Sequence, residues 1–242
     1  MMGPLRPVWA ELPVDVHRCA LLVLAPTLPS VAIPTYGDRH MASLPVRDLA
    51  QDHLLTSKNA ALIIIDYQPV QVTSVASMDR RALVENIVSV AKAAMLFKLP
   101  IVLSTVNVKT GRNAPTIRPL QDVLGAAESF DRTTINAWED REFLQAVKAT
   151  GRKKIIMTAL WTEACLTFPA LDALREGYEV YPVVDAVGGT SLEAHRAALK
   201  RMTQAGARPV SWVQLLCELQ RDWVREETSG PFGKILFTVE GS

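Results

Sequence analysis

Several polar residues in this sequence stand directly after apolar runs, where a parallel strand would end. Asp66 follows Ile63-Ile-Ile, Asn107 lies just beyond Ile101-Val-Leu, and Arg132 follows Ser129-Phe-Asp. Thr162 and Cys165 come after the run Ile155 to Leu160, and Asp185 after Tyr178 to Val184. Ligands of open parallel sheets bind beyond the carboxyl ends of the strands, so these positions would share one rim. A carboxylate, a cation and a thiol brought together there have the makings of nucleophilic catalysis, the carboxylate taking the thiol proton as sulfur attacks a carbonyl.

Cys165 carries the most information. The spacing predicts a helix opening beside it, with Thr162 as N-cap and Cys165 at the third helical position. Unpaired backbone N–H groups and the positive end of the helix dipole favour thiolate at such a place. Glu163 in the same turn opposes this, and Arg132 offers the compensating cation. Pro169 predicts a kink just beyond. The plainer alternative is a small buried hydrophobe, the common fate of a free cysteine. Gln68 would point the same way as Asp66 if the strand continued, and could orient the carboxylate. Asn136 with Glu139, and Thr190 with Glu193, read as helix-capping pairs. Gly188-Gly189 reads as a tight turn, since no lysine follows as a phosphate loop requires.

The elements that must position these residues follow from periodicity. Ala60 to Ile65 is continuously apolar and rich in branched residues, as a strand buried on both faces requires. Arg80 to Lys98 places Leu83, Ile87, Val90, Ala91, Ala94 and Met95 at helical spacing before Pro100 and the next apolar run. The alternation continues through helices over 139–150, the segment ending at Gly177, 191–205 and 212–225, with strands at 154–160, 178–184 and a short one at Pro209-Val-Ser. Strands alternating with helices predict an α/β fold, a three-layer α/β/α sandwich with a mainly parallel, Rossmann-like six-stranded sheet. Residues 1–40, with six prolines and no sustained period, are expected to form an irregular extension; Met41 opens a more ordinary start. The folded domain is expected over 41–228, followed by a tail over 229–242 that packs on a neighbouring subunit.

Composition limits the partners. In 242 residues, 26 Lys and Arg balance 25 Asp and Glu, which gives no general electrostatic pull toward nucleic acid or an anionic membrane. The only early apolar run, Cys19 to Ala25, is broken by Pro26, Pro29 and Pro34, so no spanning helix and no secretory leader is expected. Cys19, Cys165 and Cys217 are odd in number and far apart, which fits a reducing cytoplasmic setting better than a disulfide framework. His17, His40, His53 and His195 are scattered without a ligand-like pair, so neither metal nor cofactor is expected.

Ile63-Ile-Ile-Asp-Tyr-Gln68, Arg132-Thr-Thr-Ile-Asn-Ala-Trp138, and Ala159-Leu-Trp-Thr-Glu-Ala-Cys165 with Phe168-Pro-Ala170 resemble the isochorismatase-like cysteine hydrolases, and within them a YcaC-like group of hydrolases. The likeness runs from about Lys58 to Trp223. It implies an Asp, Lys, Cys triad falling on Asp66, the Arg132 position and Cys165. Here an arginine stands where many relatives carry lysine, and a shift of one residue would bring Asp131 into contention. Arginine cannot shuttle a proton and could only hold charge and geometry; beside Asp66 it would lower that carboxylate's pKa by about 1–3 units. The resemblance also implies a cis peptide between Leu160 and Trp161, and an oxyanion hole from the N–H groups of Trp161 and Cys165. Gln68, Asn107, Asn136, Trp138 and Phe168 would line the substrate pocket. The expected activity is hydrolysis of a small amide or other C–N bond through a thioester, in a homo-oligomer for which an octamer is one option. Two alternatives stand beside it: thiol-independent hydrolysis of a vinyl ether, with Cys165 a bystander, and a ligand-binding protein of the same fold silenced by the arginine.

Overall fold

A computed structural model describes residues 46–238. The expected extension, with Trp9, His17, Cys19, His40 and Met41, lies outside the described residues. Five strands form the sheet: β1 (Ala60–Ile65), β2 (Ile101–Val106), β3 (Ser129–Arg132), β4 (Lys154–Ala159) and β5 (Glu179–Pro182). The α-helices are α1 (Pro69–Thr73), α2 (Arg80–Leu96), α3 (Arg118–Leu124), α4 (Arg141–Ala149), α5 (Thr167–Arg175), α6 (Leu192–Gln204), α7 (Trp212–Gln220) and α8 (Ser229–Thr238). A 3-10 turn at Ala137–Glu139 precedes α4, and a π-helical turn at Thr162–Leu166 precedes α5.

All strand pairs are parallel, in the order β3-β2-β1-β4-β5. The α/β/α sandwich is thus as expected, but the sheet has five strands and not six. Pro209-Val-Ser contributes a single parallel bridge, Val183 to Val210, because α7 begins at Trp212 and leaves no length for a ladder. β1 lies at the centre and every residue of it is buried. Its alternate side chains feed two cores: Leu62 and Ile64 meet α2, α7 and α8 residues on one face, while Ala61, Ile63 and Ile65 meet Phe143, Val147, Leu166 and Ala170 on the other.

Helix ends follow local chemistry. The side chains of Asp79, Asp140, Ser191 and Ser211 cap α2, α4, α6 and α7 by accepting a backbone N–H two or three residues into the helix. Two expected caps are corrected here. Ser191 displaces Thr190 as the cap of α6, because the Thr190 hydroxyl donates instead to Glu163. Asn136 caps only the 3-10 turn, by accepting the Trp138 N–H, and Asp140 takes over for α4.

The segment after 228 is also corrected. It forms α8, which inserts Phe232 and Leu236 into this chain's own core against α2 and α7. Its apolar residues lie at helical spacing, and a docked amphipathic helix buries them where a tail would expose them. At the opposite end of the strands, Lys154 Nζ donates to the carbonyls of Asp52, His53 and Leu54, fastening the segment that enters β1.

Candidate active site

Strand order decides which residues can meet. The chain runs outward from β1 to β2 and β3, then crosses to the other side of β1 to form β4, so the topology switches between β1 and β4. A crevice is expected beyond the carboxyl ends at such a switch. Ile65 pairs with Ala159 on one side and Ser104 on the other, and Val106 with Arg132. Asp66, Arg132 and the Cys165 turn therefore leave the sheet at the same end.

Asp66 and Asn107 both adopt left-handed backbone, with φ of 61° and 63°. Asp and Asn tolerate this conformation better than other side chains, which suits them to a sharp exit from a strand. The Gln68 N–H closes the turn on the Asp66 carbonyl at 2.8 Å. The Asp66 side chain is fully buried and Arg132 is 3% exposed. Arg132 Nη1 donates to Asp66 Oδ1 and Nη2 to Oδ2, each at 2.7 Å, a two-pronged ion pair. Nη1 also donates to the Ser104 hydroxyl and the Thr105 carbonyl at 3.1 Å, and Nη2 to the Ile135 carbonyl at 3.2 Å. Burial works against the guanidinium charge, but the bonds to Asp66 and its opposite charge prevail and raise the Arg132 pKa. Asp131 faces elsewhere: its carboxylate accepts the N–H groups of Val108 and Lys109 and the Thr105 hydroxyl. The cation that meets Asp66 is Arg132, which closes the one-residue ambiguity.

Cys165 sits in the π-turn, 9% exposed, and close enough to Asp66 for the carboxylate's charge and hydrogen-bonding capacity to act on its thiol. Burial pushes the thiol up to about 12, and the Asp66 charge and hydrogen bond act in the same direction. The Arg132 charge and the Trp161 backbone N–H, which is directed at the sulfur, pull downward without reversing this. The direction is the reverse of the expected one: desolvation and a neighbouring anion outweigh the turn's N–H groups and favour the protonated thiol. Thr162 is not the cap either. Trp161 holds the capping position with no side-chain bond, and the Thr162 hydroxyl lies 2.9 Å from His195 Nδ1. Glu163 turns away to Thr190. The Leu160–Trp161 peptide is cis.

Most of the expected pocket residues have structural partners instead. The Gln68 side chain does not orient the Asp66 carboxylate; its amide joins the N–H and carbonyl of Val106 to the Ala114 carbonyl, pinning the 107–117 loop. Asn107 shapes its own turn, its carbonyl accepting from Arg112 and Asn113. Asn136 donates to Asp172 at 2.7 Å. Trp138 packs edge-on against Phe143 and Tyr178 and donates to Glu176, which makes it a core residue. Phe168, 36% exposed, remains available at the surface of α5. Trp161 is half-buried and its indole donates to the Ser74 hydroxyl at 2.8 Å.

Ser104 and the carbonyls of Thr105 and Ile135 hold Arg132, and sequence reasoning did not find them. Ser104 had a signal, a hydroxyl inside an apolar run; the two carbonyls had none. A surface cavity of about 500 Å³ lies beside β2 and β3, lined by Leu103, Thr105, Ser129, Asp131 and α3. It includes neither Asp66, Arg132 nor Cys165, so cavity size does not mark the chemistry here. Among the described residues no cluster of three or more His, Cys, Asp or Glu is placed to hold a metal, and no helix is long and apolar enough to cross a membrane.

A parallel sheet presenting a buried carboxylate, guanidinium and thiol at its switch point defines the class of protein. The isochorismatase domain model matches residues 60–214, and the chain belongs to the isochorismatase family of hydrolases. It is 35% identical over 170 residues to the probable hydrolase YcaC of Escherichia coli, a match covering 70% of this chain and 81% of that one. Among solved structures, YcaC from Pseudomonas aeruginosa with hexane-2,5-diol and covalent acrylamide is 36% identical, with TM-score 0.72 over 76% of this chain and 90% of its own. The Escherichia coli YcaC structure, described as an octameric hydrolase of unknown specificity, is 31% identical with TM-score 0.68, covering 78% and 97%. A Bacillus subtilis nicotinamidase, 20% identical with TM-score 0.53 over 63% of this chain and 99% of that one, shares the fold.

Proposed function

We propose that this protein is a cysteine hydrolase acting on a small amide or related C–N substrate through a thioester at Cys165. The observation that carries this reading is the contact of a buried thiol with a carboxylate that a second buried charge holds in place. Asp66 takes the proton from Cys165 Sγ as sulfur attacks the substrate carbonyl. The N–H groups of Trp161 and Cys165 receive the resulting oxyanion, where a single donor is worth about 3–4 kcal/mol. The C–N bond then breaks, protonated Asp66 delivers its proton to the departing amine, and water, deprotonated by Asp66, hydrolyses the thioester and restores the thiol. Arg132 stays protonated throughout and fixes the carboxylate. A neutral resting thiol suits this sequence, since it retains the proton the leaving group needs.

The covalent acrylamide in the Pseudomonas aeruginosa relative supports a reactive nucleophile in this family. The octameric relative supports a homo-oligomer here; the small-molecule substrate and the reducing, cytoplasmic compartment are part of the same proposal and rest on the family resemblance and on the odd number of widely spaced cysteines. One observation favours a silenced ligand-binding protein as second reading: both Asp66 oxygens are held by the guanidinium, which competes with an incoming proton for their lone pairs.

Intact-protein mass spectrometry of the full chain with a panel of small amides, acrylamide among them, tests both readings. The expected result is an adduct located on Cys165 together with amine release from at least one amide. Turnover undiminished in Cys165→Ala would overturn the thioester mechanism. Adduct formation without turnover of any amide would favour the silenced protein.

A further inference from the structure

Only Thr162, Glu163 and Ala164 separate Trp161 from Cys165, and two of these three are gripped by a segment more than twenty residues downstream. The Thr162 N–H donates to the Gly188 carbonyl at 2.9 Å, and its hydroxyl meets His195 Nδ1. Glu163 Oε1 accepts both the Thr190 N–H at 2.9 Å and the Thr190 hydroxyl at 2.6 Å. That downstream segment is fastened in turn to the α1–α2 connection: Ala76 N–H donates to the Gly189 carbonyl at 3.0 Å and Gly189 N–H to the Ser77 hydroxyl at 2.9 Å.

Glu163 Oε2 is buried and makes no hydrogen bond among the described residues. A buried carboxylate oxygen without a donor is unfavourable, and a glutamate with no task would swing it into water. The fold makes room for it instead: a Cβ on Gly189 would stand 2.5 Å from that oxygen.

We propose that Glu163 is a positioning residue for Cys165. It clamps the π-turn to the 188–195 segment, keeping the sulfur and the Trp161 N–H aligned with Asp66, and Gly189 is glycine to admit its carboxylate. This rests on the cysteine mechanism proposed above. A displacement of about 1 Å at a reacting group can lower a rate about 100-fold, so a clamp two residues from Cys165 has leverage.

The test follows acrylamide addition to Cys165 in the full-length protein, by peptide mass spectrometry across acrylamide concentrations and from pH 6 to 10, with thermal melting alongside. Glu163→Ala is expected to lower the maximal rate about 10- to 100-fold while half-saturation and melting change little. Glu163→Gln keeps an acceptor for Thr190 and should recover most of the rate. Gly189→Ala should slow the otherwise unaltered protein but cost less in a Glu163→Ala background, because the clash with the carboxylate is then gone and only the closer approach to His195, 3.2 Å from the new Cβ, remains. A maximal rate in Glu163→Ala equal to that of the unaltered protein, or losses that simply add, would overturn the proposal. Should Glu163→Ala not fold, Thr190→Val at an exposed position removes one of the two bonds, and an unchanged rate there overturns it equally. If Cys165 of the unaltered protein does not react while Cys217 does, the cysteine mechanism fails, and the clamp with it; a reactive Cys165 indifferent to Glu163 defeats the clamp alone.

Discussion

At the scale of single residues, two charges and a thiol constrain one another. The Asp66 anion is among the causes that raise Cys165 toward about 12, while Arg132 opposes it. Asp66→Asn removes an upward cause and leaves Arg132 uncompensated, so thiolate formation at Cys165 should move to lower pH. Thiolate absorbance near 240 nm, compared with Cys165→Ala, checks the sign; a midpoint unchanged or moved upward would contradict it. The same variant should lose hydrolysis, since amide cannot accept the proton. The ion pair itself is wholly out of water. Arg132→Met strands Asp66 and should destabilise the protein by about 3–5 kcal/mol. Arg132→Lys keeps the charge but not the fork, with an expected loss of about 1.5–3 kcal/mol. Urea titration resolves the two if the midpoint falls without a change in slope.

At the scale of elements, the loop beyond β2 and the last helix hold the site's surroundings in place. Gln68, fully buried, satisfies the Val106 N–H and the carbonyls of Val106 and Ala114. Gln68→Ala leaves these groups dry and unpaired, at about 1–3 kcal/mol for each such group. Hydrogen exchange should show lost protection of the Val106 amide while the β1 and β4 amides stay protected. α8 makes the complementary case where it packs on α2 and α7, with Phe232 2% exposed and stacked edge-on with Trp223. Phe232→Ala should cost about 3–5 kcal/mol through the cavity it leaves. A fall below about 1 kcal/mol in thermal or chemical unfolding would mean that α8 is not part of the cooperative core.

At the scale of the whole molecule, the central position of β1 makes the chemistry possible. Because β4 crosses to the far side of β1, Cys165 and Asp66 become neighbours, and β2 and β3 carry Arg132 to the same carboxylate. On the surface, Val70, Ile135, Trp223 and Phe237 expose large apolar side chains, between 57% and 67% of each. Apolar residues exposed singly are ordinary and mark no interface by themselves; the proposed homo-oligomer rests on the octameric relative. Native mass spectrometry of the full chain should give a multiple of 26.6 kDa. A monomer at micromolar concentration would sink the proposed homo-oligomer.

Much of this was legible along the chain. The buried run of β1, Asn136 as a capping residue, and the place of Asp66, Arg132 and Cys165 after their strands follow from local periodicity and residue chemistry, which act between near neighbours; the cap of α6 fell one residue beyond the expected Thr190, on Ser191. A one-strand excess arose because Pro209-Val-Ser has strand composition but no space to extend beside β5. Gln68, Asn136 and Trp138 read as pocket residues until distant partners, Ala114, Asp172 and Glu176, took up their polar groups. Local pattern therefore determined which residues stand at the rim. Only the tertiary structure decided which of them touch, and that the thiol is raised and not lowered, because desolvation and ion pairing depend on groups that sequence separation keeps far apart and folding brings within 3 Å.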